Sequence, residues 1–413
     1  MKRIVIFIDG TWNRPDAVEP TNVVRLARCS RHSDTAGVAQ HVIYVPGVGA
    51  GIANTWFGRF SDRILGGALG WGLLDIIERA YRDLVFLYEP GDEIMIFGFS
   101  RGSFAARSLV GLIRNCGIPP RRHLHRIPEA IARYVSRDPR DHPNDPKSHE
   151  FRADFAPYTA TSDSEFHWRM AKGDTDAIRL TIRFLGVWDT VSSLGVPVAL
   201  PYSDRLNAQY RFHDTKLSSM VQSARHAIAL DEHRSTYRSH PWSNLDALVQ
   251  ERIEGDAAVS PYQQLWFPGD HGSVGGGGTR QGLSSIALHW MTLGALQAGL
   301  AVHWDEFDRV AHRFDVREHL RNKLGPVNLI DSLMRLRSYD RAARPKSIDD
   351  LSLAAFDRFR ADPAYRPATL DGVYATLFDL PEAAVTEIRD RMRRRDGGWT
   401  HNLDTHFRPR NGG

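Results

Sequence analysis

The chain has little cysteine: only Cys29 and Cys116 among 413 residues. Two thiols so far apart rule out a disulfide framework and the paired-cysteine spacing of a zinc site, and they fit a chain kept in a reducing compartment. Long apolar runs are missing too. The first, Ile4 to Ile8, stops at Asp9 after five residues, too short for the core of a signal peptide, and no window approaches the 18 residues that cross a bilayer. The sequence therefore predicts a chain that stays cytoplasmic as made, with export only by a leaderless route. Charge of one sign is also lacking. The 53 Lys and Arg face 49 Asp and Glu, giving a net charge of +4. Without a basic helix interleaved with aromatics, that balance gives no case for nucleic acid as a partner. Arginine clusters at Pro119–Arg122 and Arg393–Arg395 read as solvated surface.

What is present is an α/β rhythm. Short β-branched runs at Arg3–Ile8, His41–Val45, Glu93–Phe97, Ile178–Val187 and Gln263–Phe267 each end in a turn rich in Gly, Pro or Asp. Helical patterns follow at Gly70–Tyr88, Ser103–Asn115 and Ser284–Ala298, and a further one is expected within Ser218–Leu230. The alternation predicts an α/β-hydrolase-like fold: a mostly parallel sheet with helices on both faces. Residues 119 to about 176, rich in Pro, Arg, His and Asp, are expected to insert over the sheet. Residues 1–300 would form the catalytic domain, and 301–413, with one clear helix near Pro381–Arg394, a C-terminal helical cap or lid.

One stretch carries chemistry. In Glu93-Ile-Met-Ile-Phe-Gly-Phe-Ser-Arg-Gly-Ser103, an apolar run meets Gly98-Phe99-Ser100-Arg101-Gly102 and a helical pattern begins at once. Strand, sharp turn and helix are the context a nucleophilic serine needs, and Gly98 and Gly102 flank Ser100 where a β-carbon would clash. A serine hydroxyl is a weak nucleophile at neutral pH and requires a base and an orienting acid later in the chain. Two apolar runs end suitably: Phe184–Trp188 in Asp189, and Gln264–Phe267 in Pro268-Gly269-Asp270-His271, on a loop freed by Gly275–Gly278. Asp231 is the reserve acid; its neighbourhood, Asp231-Glu232-His233-Arg234, reads as a solvated helix end. The oxyanion hole is expected from the Arg101 N–H and from Gly10 and Thr11 after the first strand, with Asp9 bracing that loop. Gly47–Gly51 is the alternative loop. The apolar Ile64–Leu74 stretch suits either an acyl groove or the core.

Two other strings lead nowhere. Ile8-Asp9-Gly10-Thr11 is similar to a phosphatase signature whose nucleophilic carboxylate would fall at Phe7, and the Gly47–Gly51 run has isoleucine at 52 where a dinucleotide loop needs glycine. No cofactor is expected. A metal-dependent hydrolase built on Asp9, Asp189, Asp231, Asp270 and His271 stays open as an alternative, as does a non-catalytic module that binds an acylated ligand or a partner protein.

The ordered set Asp9-Gly-Thr-Trp-Asn13, Thr21-Asn-Val23, Tyr44-Val-Pro-Gly-Val-Gly49, Gly98–Gly102, Gly186–Val191, His226-Ala227, Asp231–Arg234 and Trp266–His271 resembles a family of bacterial α/β-hydrolases that includes phospholipase effectors of type VI secretion. The resemblance covers residues 1 to about 300. It implies a serine esterase or lipase acting on phospholipid acyl esters, with Ser100, Asp189 and His271 as the triad. It also implies peripheral contact with a membrane, and an inhibitor or immunity protein if the chain is exported. Family members often read His-x-Asp before the glycines, where this chain has His271-Gly272-Ser273, and residues beyond 300 carry no motif of the group.

Overall fold

The structure, a computed structural model, describes residues 1–11, 13–47, 66–191, 216–234, 237, 239–252, 260–322 and 343–397. Within them the main elements in chain order are β1 (Arg3–Ile8), α1 (Asn22–Cys29), β2 (Gln40–Val45), α2 (Gly66–Leu87), β3 (Glu93–Phe99) and α3 (Arg101–Cys116). Then follow α4 (Ile127–Val135), α5 (Pro146–Phe155), β4 (Thr159–Ala160), α6 (Asp163–Ala171), β5 (Ile178–Arg179), β6 (Phe184–Trp188) and β7 (Ala224–Ala229). The remainder is α7 (Leu245–Arg252), β8 (Tyr262–Phe267), α8 (His271–Gly275), α9 (Gly282–Gln297), α10 (Trp304–Val310), α11 (Leu353–Ala361), α12 (Tyr374–Phe378) and α13 (Glu382–Asp396).

Six strands form one parallel sheet in the order β2-β1-β3-β6-β7-β8. Strands covered on both faces must be apolar almost throughout, and β1 is buried at every position. Alternation sorts its side chains. Ile4, Ile6, Ile8, Ile94 and Ile96 pack with α2 and α3 on one face. Val5, Phe7, Met95, Phe97 and Phe99 pack with α1 and α9 on the other. The chain leaves β1 outward to β2 and returns inward to β3, so the strand order reverses between β1 and β3. In open parallel sheets that crevice, at the carboxyl ends of the strands, is where ligands bind.

Several boundaries move. The strand expected over Ile178–Val187 is two: β5 pairs with β4 in a separate ribbon, and only β6 enters the main sheet. The helix expected within Ser218–Leu230 is instead the interior strand β7, paired on both sides. A short apolar run carries no period that separates a buried strand from a buried helix, and here the two partner strands decide. Asp231–Arg234 accordingly follows a strand, and Glu232 is buried against Arg234 rather than solvated. Of the stretch considered for an acyl groove, residues 64 and 65 lie outside the described residues, and Leu73 packs with Ile76 and Ile77 in the core.

Residues 119–176 carry helices α4, α5 and α6 and strand β4, and Glu165 bridges the buried guanidiniums of Arg152 and Arg169 at 2.7 Å each. Beyond residue 343, α11 and its neighbours cover Ile228, Leu230 and Trp266, and Leu351 extends a bridge to Trp266 at the edge of β8.

Candidate active site

Ser100 occupies the sharp turn between β3 and α3 with φ 60° and ψ −124°. An L-residue adopts that conformation only where the surroundings hold it there. Its N–H donates to the Trp188 carbonyl at 3.1 Å, and Ser103 Oγ donates to the carbonyls of Gly98 and Trp188. The two glycines are steric necessities: a β-carbon at Gly98 would overlap the Gly102 backbone, and one at Gly102 would overlap Ile8 and Asp9.

Asp189 follows β6 and has φ 34°. Its Oδ1 accepts the Ala229 N–H at 3.0 Å and the Ser239 hydroxyl at 2.5 Å, while Oδ2 faces His271 Nδ1 at 2.7 Å. The carboxylate thus fixes the tautomer, with Nδ1 carrying its proton toward Asp189 and Nε2 left as the basic nitrogen. The imidazole lies between two rings, that of Phe99 at 4.6 Å and that of Tyr237 at 4.7 Å. Phe99 immediately precedes Ser100, so this stacking sets the imidazole against the residue next to the turn. Asp189 is 0% and His271 1% exposed, and Ser100 6%. Three residues spread over 172 positions of chain therefore sit at the carboxyl ends of β3, β6 and β8.

The loop after β1 closes the other side. Asp9 accepts four hydrogen bonds, from the Gly10 N–H at 2.7 Å, Asn13 Nδ2 at 3.2 Å, the Thr21 hydroxyl at 2.8 Å and the Tyr44 hydroxyl at 2.9 Å. Burial raises its pKa to about 6 against the lowering effect of these donors. A β-carbon at Gly10 would sit 3.1 Å from Ser100 Cβ. Among the described residues the N–H groups of Arg101 and Thr11 have no acceptor, whereas that of Gly10 is taken by Asp9. The alternative loop lies outside the described residues from 48 onward; Gly47 abuts the Gly10 carbonyl.

Asp231 holds the histidine loop rather than the imidazole: its Oδ2 accepts the Gly269 N–H at 2.6 Å and the Tyr365 hydroxyl at 2.8 Å. Glu232 accepts the His271 N–H at 3.2 Å. Burial opposes the Glu232 charge, yet the Arg234 fork keeps its carboxyl below the usual range. The glycines after His271 do not free the loop but pack it. A β-carbon at Gly275 would enter the Phe99 ring, one at Gly276 would meet Asn22, and one at Gly278 would overlap Asn322. Among the described residues no group of three or more His, Cys, Asp or Glu is arranged to hold a metal ion. The same residues include no helix long and apolar enough to cross a membrane.

Sequence reasoning missed His226, quoted only as part of a pattern. It is buried in β7, donates Nδ1–H to Gln264 Oε1 at 3.0 Å and accepts the Thr190 N–H on Nε2 at 3.3 Å. Burial drives its pKa down to about 3, so it is neutral. The adjacent polar pair Arg225-His226 within Ala224–Ala229 was the available signal.

Comparison with known proteins and families gives four results. A curated protein of Saccharomyces cerevisiae, itself uncharacterised, is 28% identical over 244 residues, which is 57% of this chain and 32% of that protein. A solved structure of an uncharacterised protein from Pseudomonas aeruginosa aligns at 16% identity and a TM-score of 0.39, covering 96% of this chain and 62% of the other. The Tle1 effector bound to the VgrG spike of the type 6 secretion system aligns at 17% identity and a TM-score of 0.30, covering 67% and 51%. The chain thus spans about a third of the curated relative and under two thirds of these solved chains. The model of one family, the catalytic domain of Tle1-like type VI secretion phospholipase effectors, matches residues 2–293, and the chain belongs to that family.

Proposed function

We propose that this chain is a serine hydrolase that cleaves lipid acyl esters, phospholipids first among them. Family membership supports the lipid-hydrolase class. The observation that carries the mechanism is the 2.7 Å contact of Asp189 Oδ2 with His271 Nδ1, with the imidazole stacked on the residue next to Ser100.

In this reading Ser100 Oγ attacks the ester carbonyl carbon as its proton passes to His271 Nε2. Asp189 stabilises the imidazolium without taking the proton. The carbonyl oxygen becomes an oxyanion facing the Arg101 and Thr11 N–H groups, and the dipole at the start of α3 assists. Gly10 serves that hole by shape, since its own N–H binds Asp9. The intermediate collapses, the carbon–oxygen bond to the leaving alcohol breaks, and Nε2–H protonates the alcohol. Water then gives a proton to Nε2 and attacks the acyl-enzyme, releasing the fatty acid and returning the proton to Ser100. Asp231 acts as a brace of the histidine loop, and Gly98 and Gly102 permit the turn. Residues 1–300 would form the catalytic unit and 301–413 a cap on it, with a membrane surface as the peripheral partner and an immunity protein as inhibitor of an exported form.

A fluorophosphonate probe tests this directly. Wild type should be labelled and Ser100→Ala should not, and lipidomics of membranes incubated with each should show fatty acid released by the wild type alone. Equal labelling of the two proteins sinks the proposal.

A further inference from the structure

His271 starts a five-residue helix in the connection between β8 and α9, and its neighbours are tied down by chain beyond residue 293, outside the family match. The Asp270 N–H donates to the Leu320 carbonyl at 2.8 Å, and Ser273 Oγ donates to the same carbonyl at 3.0 Å. The Asn322 N–H returns to Asp270 Oδ1 at 3.2 Å. Its buried side chain donates Nδ2 to the Gly272 carbonyl at 3.2 Å and to the Arg280 carbonyl at 2.8 Å, and accepts the Arg280 N–H at 3.3 Å. Gly278 is what admits it.

This segment is itself held. Arg358, on α11, donates to the carbonyls of Val316 and Glu318 at 2.7 Å each, and lies over the Tyr365 ring at 5.0 Å. Tyr365 in turn donates its hydroxyl to Asp231, the acceptor of the Gly269 N–H. Asp270, Gly272 and Ser273 are each bonded by this segment, and Gly269 is bonded by Asp231, which Tyr365 holds. Asp189 constrains only one end of the imidazole, so the direction of Nε2 depends on the backbone that carries the ring.

We propose that Leu320–Asn322, anchored by Arg358, together with Tyr365 form a clamp that sets the backbone of the His271 loop and thereby aims Nε2 at Ser100. Asn322 and Tyr365 are positioning residues, and the C-terminal segment completes the site rather than merely covering it. The inference rests on His271 being the general base. Misplacement of a reacting group by about 1 Å can cost on the order of 100-fold in rate.

The whole 413-residue chain is assayed on a soluble p-nitrophenyl ester as wild type, His271→Ala, Asn322→Ala and Tyr365→Phe, with thermal unfolding of each. The clamp predicts kcat lower by about 10- to 100-fold in Asn322→Ala and by a smaller factor in Tyr365→Phe, with KM within about twofold and the fold retained. A distorted acid limb in the pH profile should accompany the loss. If His271→Ala abolishes turnover while both clamp variants keep wild-type kcat and pH profile, the clamp is wrong and the mechanism stands. If His271→Ala is as active as wild type, or no ester is turned over, the reading of the site fails instead. The clamp is then judged by NMR on the Nδ1–H proton bonded to Asp189. A shifted or broadened resonance in Asn322→Ala supports it, and an unchanged one overturns it. Should Asn322→Ala not fold, Tyr365→Phe, which lacks one hydroxyl, carries the same comparison.

Discussion

His226 Nε2 accepts the Thr190 N–H at 3.3 Å, one residue past the aspartate that faces His271. That bond requires neutral imidazole, and burial supplies it by lowering the pKa to about 3. A histidine whose folded pKa is depressed from 6.5 contributes stability that is complete above 6.5 and is lost as pH falls through the window toward 3. At pH 5 the loss is about 2 kcal/mol. Urea unfolding at pH 7 and pH 5 should show this decrease in wild type and a smaller one in His226→Gln.

Asp9 works in the opposite sense. Its pKa is raised to about 6 by burial, so ionisation in the folded state is penalised: its contribution is largest below the unfolded value of 3.8 and is lost as pH rises through 6. The full difference is about 3 kcal/mol. Asp9→Asn should flatten this part of the stability curve between pH 4 and 6. The two hydroxyls of Thr21 and Tyr44 can reverse their hydrogen bonds to suit the amide, so the variant should fold. Retention of the wild-type slope would show that Asp9 does not titrate there.

Replacing Asp189 by Asn should lower kcat by about 10⁴-fold while KM changes little, because an amide donor in place of Oδ2 favours the wrong imidazole tautomer. Steady-state kinetics on a soluble ester decides it. A loss below tenfold would assign the acid elsewhere.

Gly102→Ala should destabilise the protein by about 3 kcal/mol or more, since the new methyl overlaps the carbonyls of Ile8, at the end of β1, and of Asp9, tied by four hydrogen bonds to its carboxylate. Gly372→Ala, whose nearest neighbour would be the Pro345 carbonyl at 3.7 Å, should be neutral. Thermal unfolding of the two variants side by side tests the difference, and equal midpoints would refute it.

Much of this architecture was legible because it depends on local pattern. β1 and β3 read as strands since both faces of a parallel sheet demand unbroken apolar runs, and α3 and α9 fall within two residues of expectation. The turn at Ser100 was legible because glycine at 98 and 102 answers a steric need within five residues. β7 was not, for its strand character comes from β6 and β8 on either side. The glycines at 275, 276 and 278 read as freedom, yet each makes room for a residue far along the chain: Phe99, Asn22 and Asn322.

By itself the sequence determined strands β1, β2, β3 and β8, helices α3 and α9 and the serine turn, because hydrophobic periodicity and glycine sterics act between near neighbours. Only the tertiary structure decided that Asp189 rather than Asp231 faces His271, that the Gly10 N–H is spent on Asp9, that Asn322 reaches the histidine loop, and that Tyr365 reaches Asp231, which bonds that loop. Those outcomes turn on the direction of individual buried donors and acceptors, which is fixed by packing between segments tens to hundreds of residues apart.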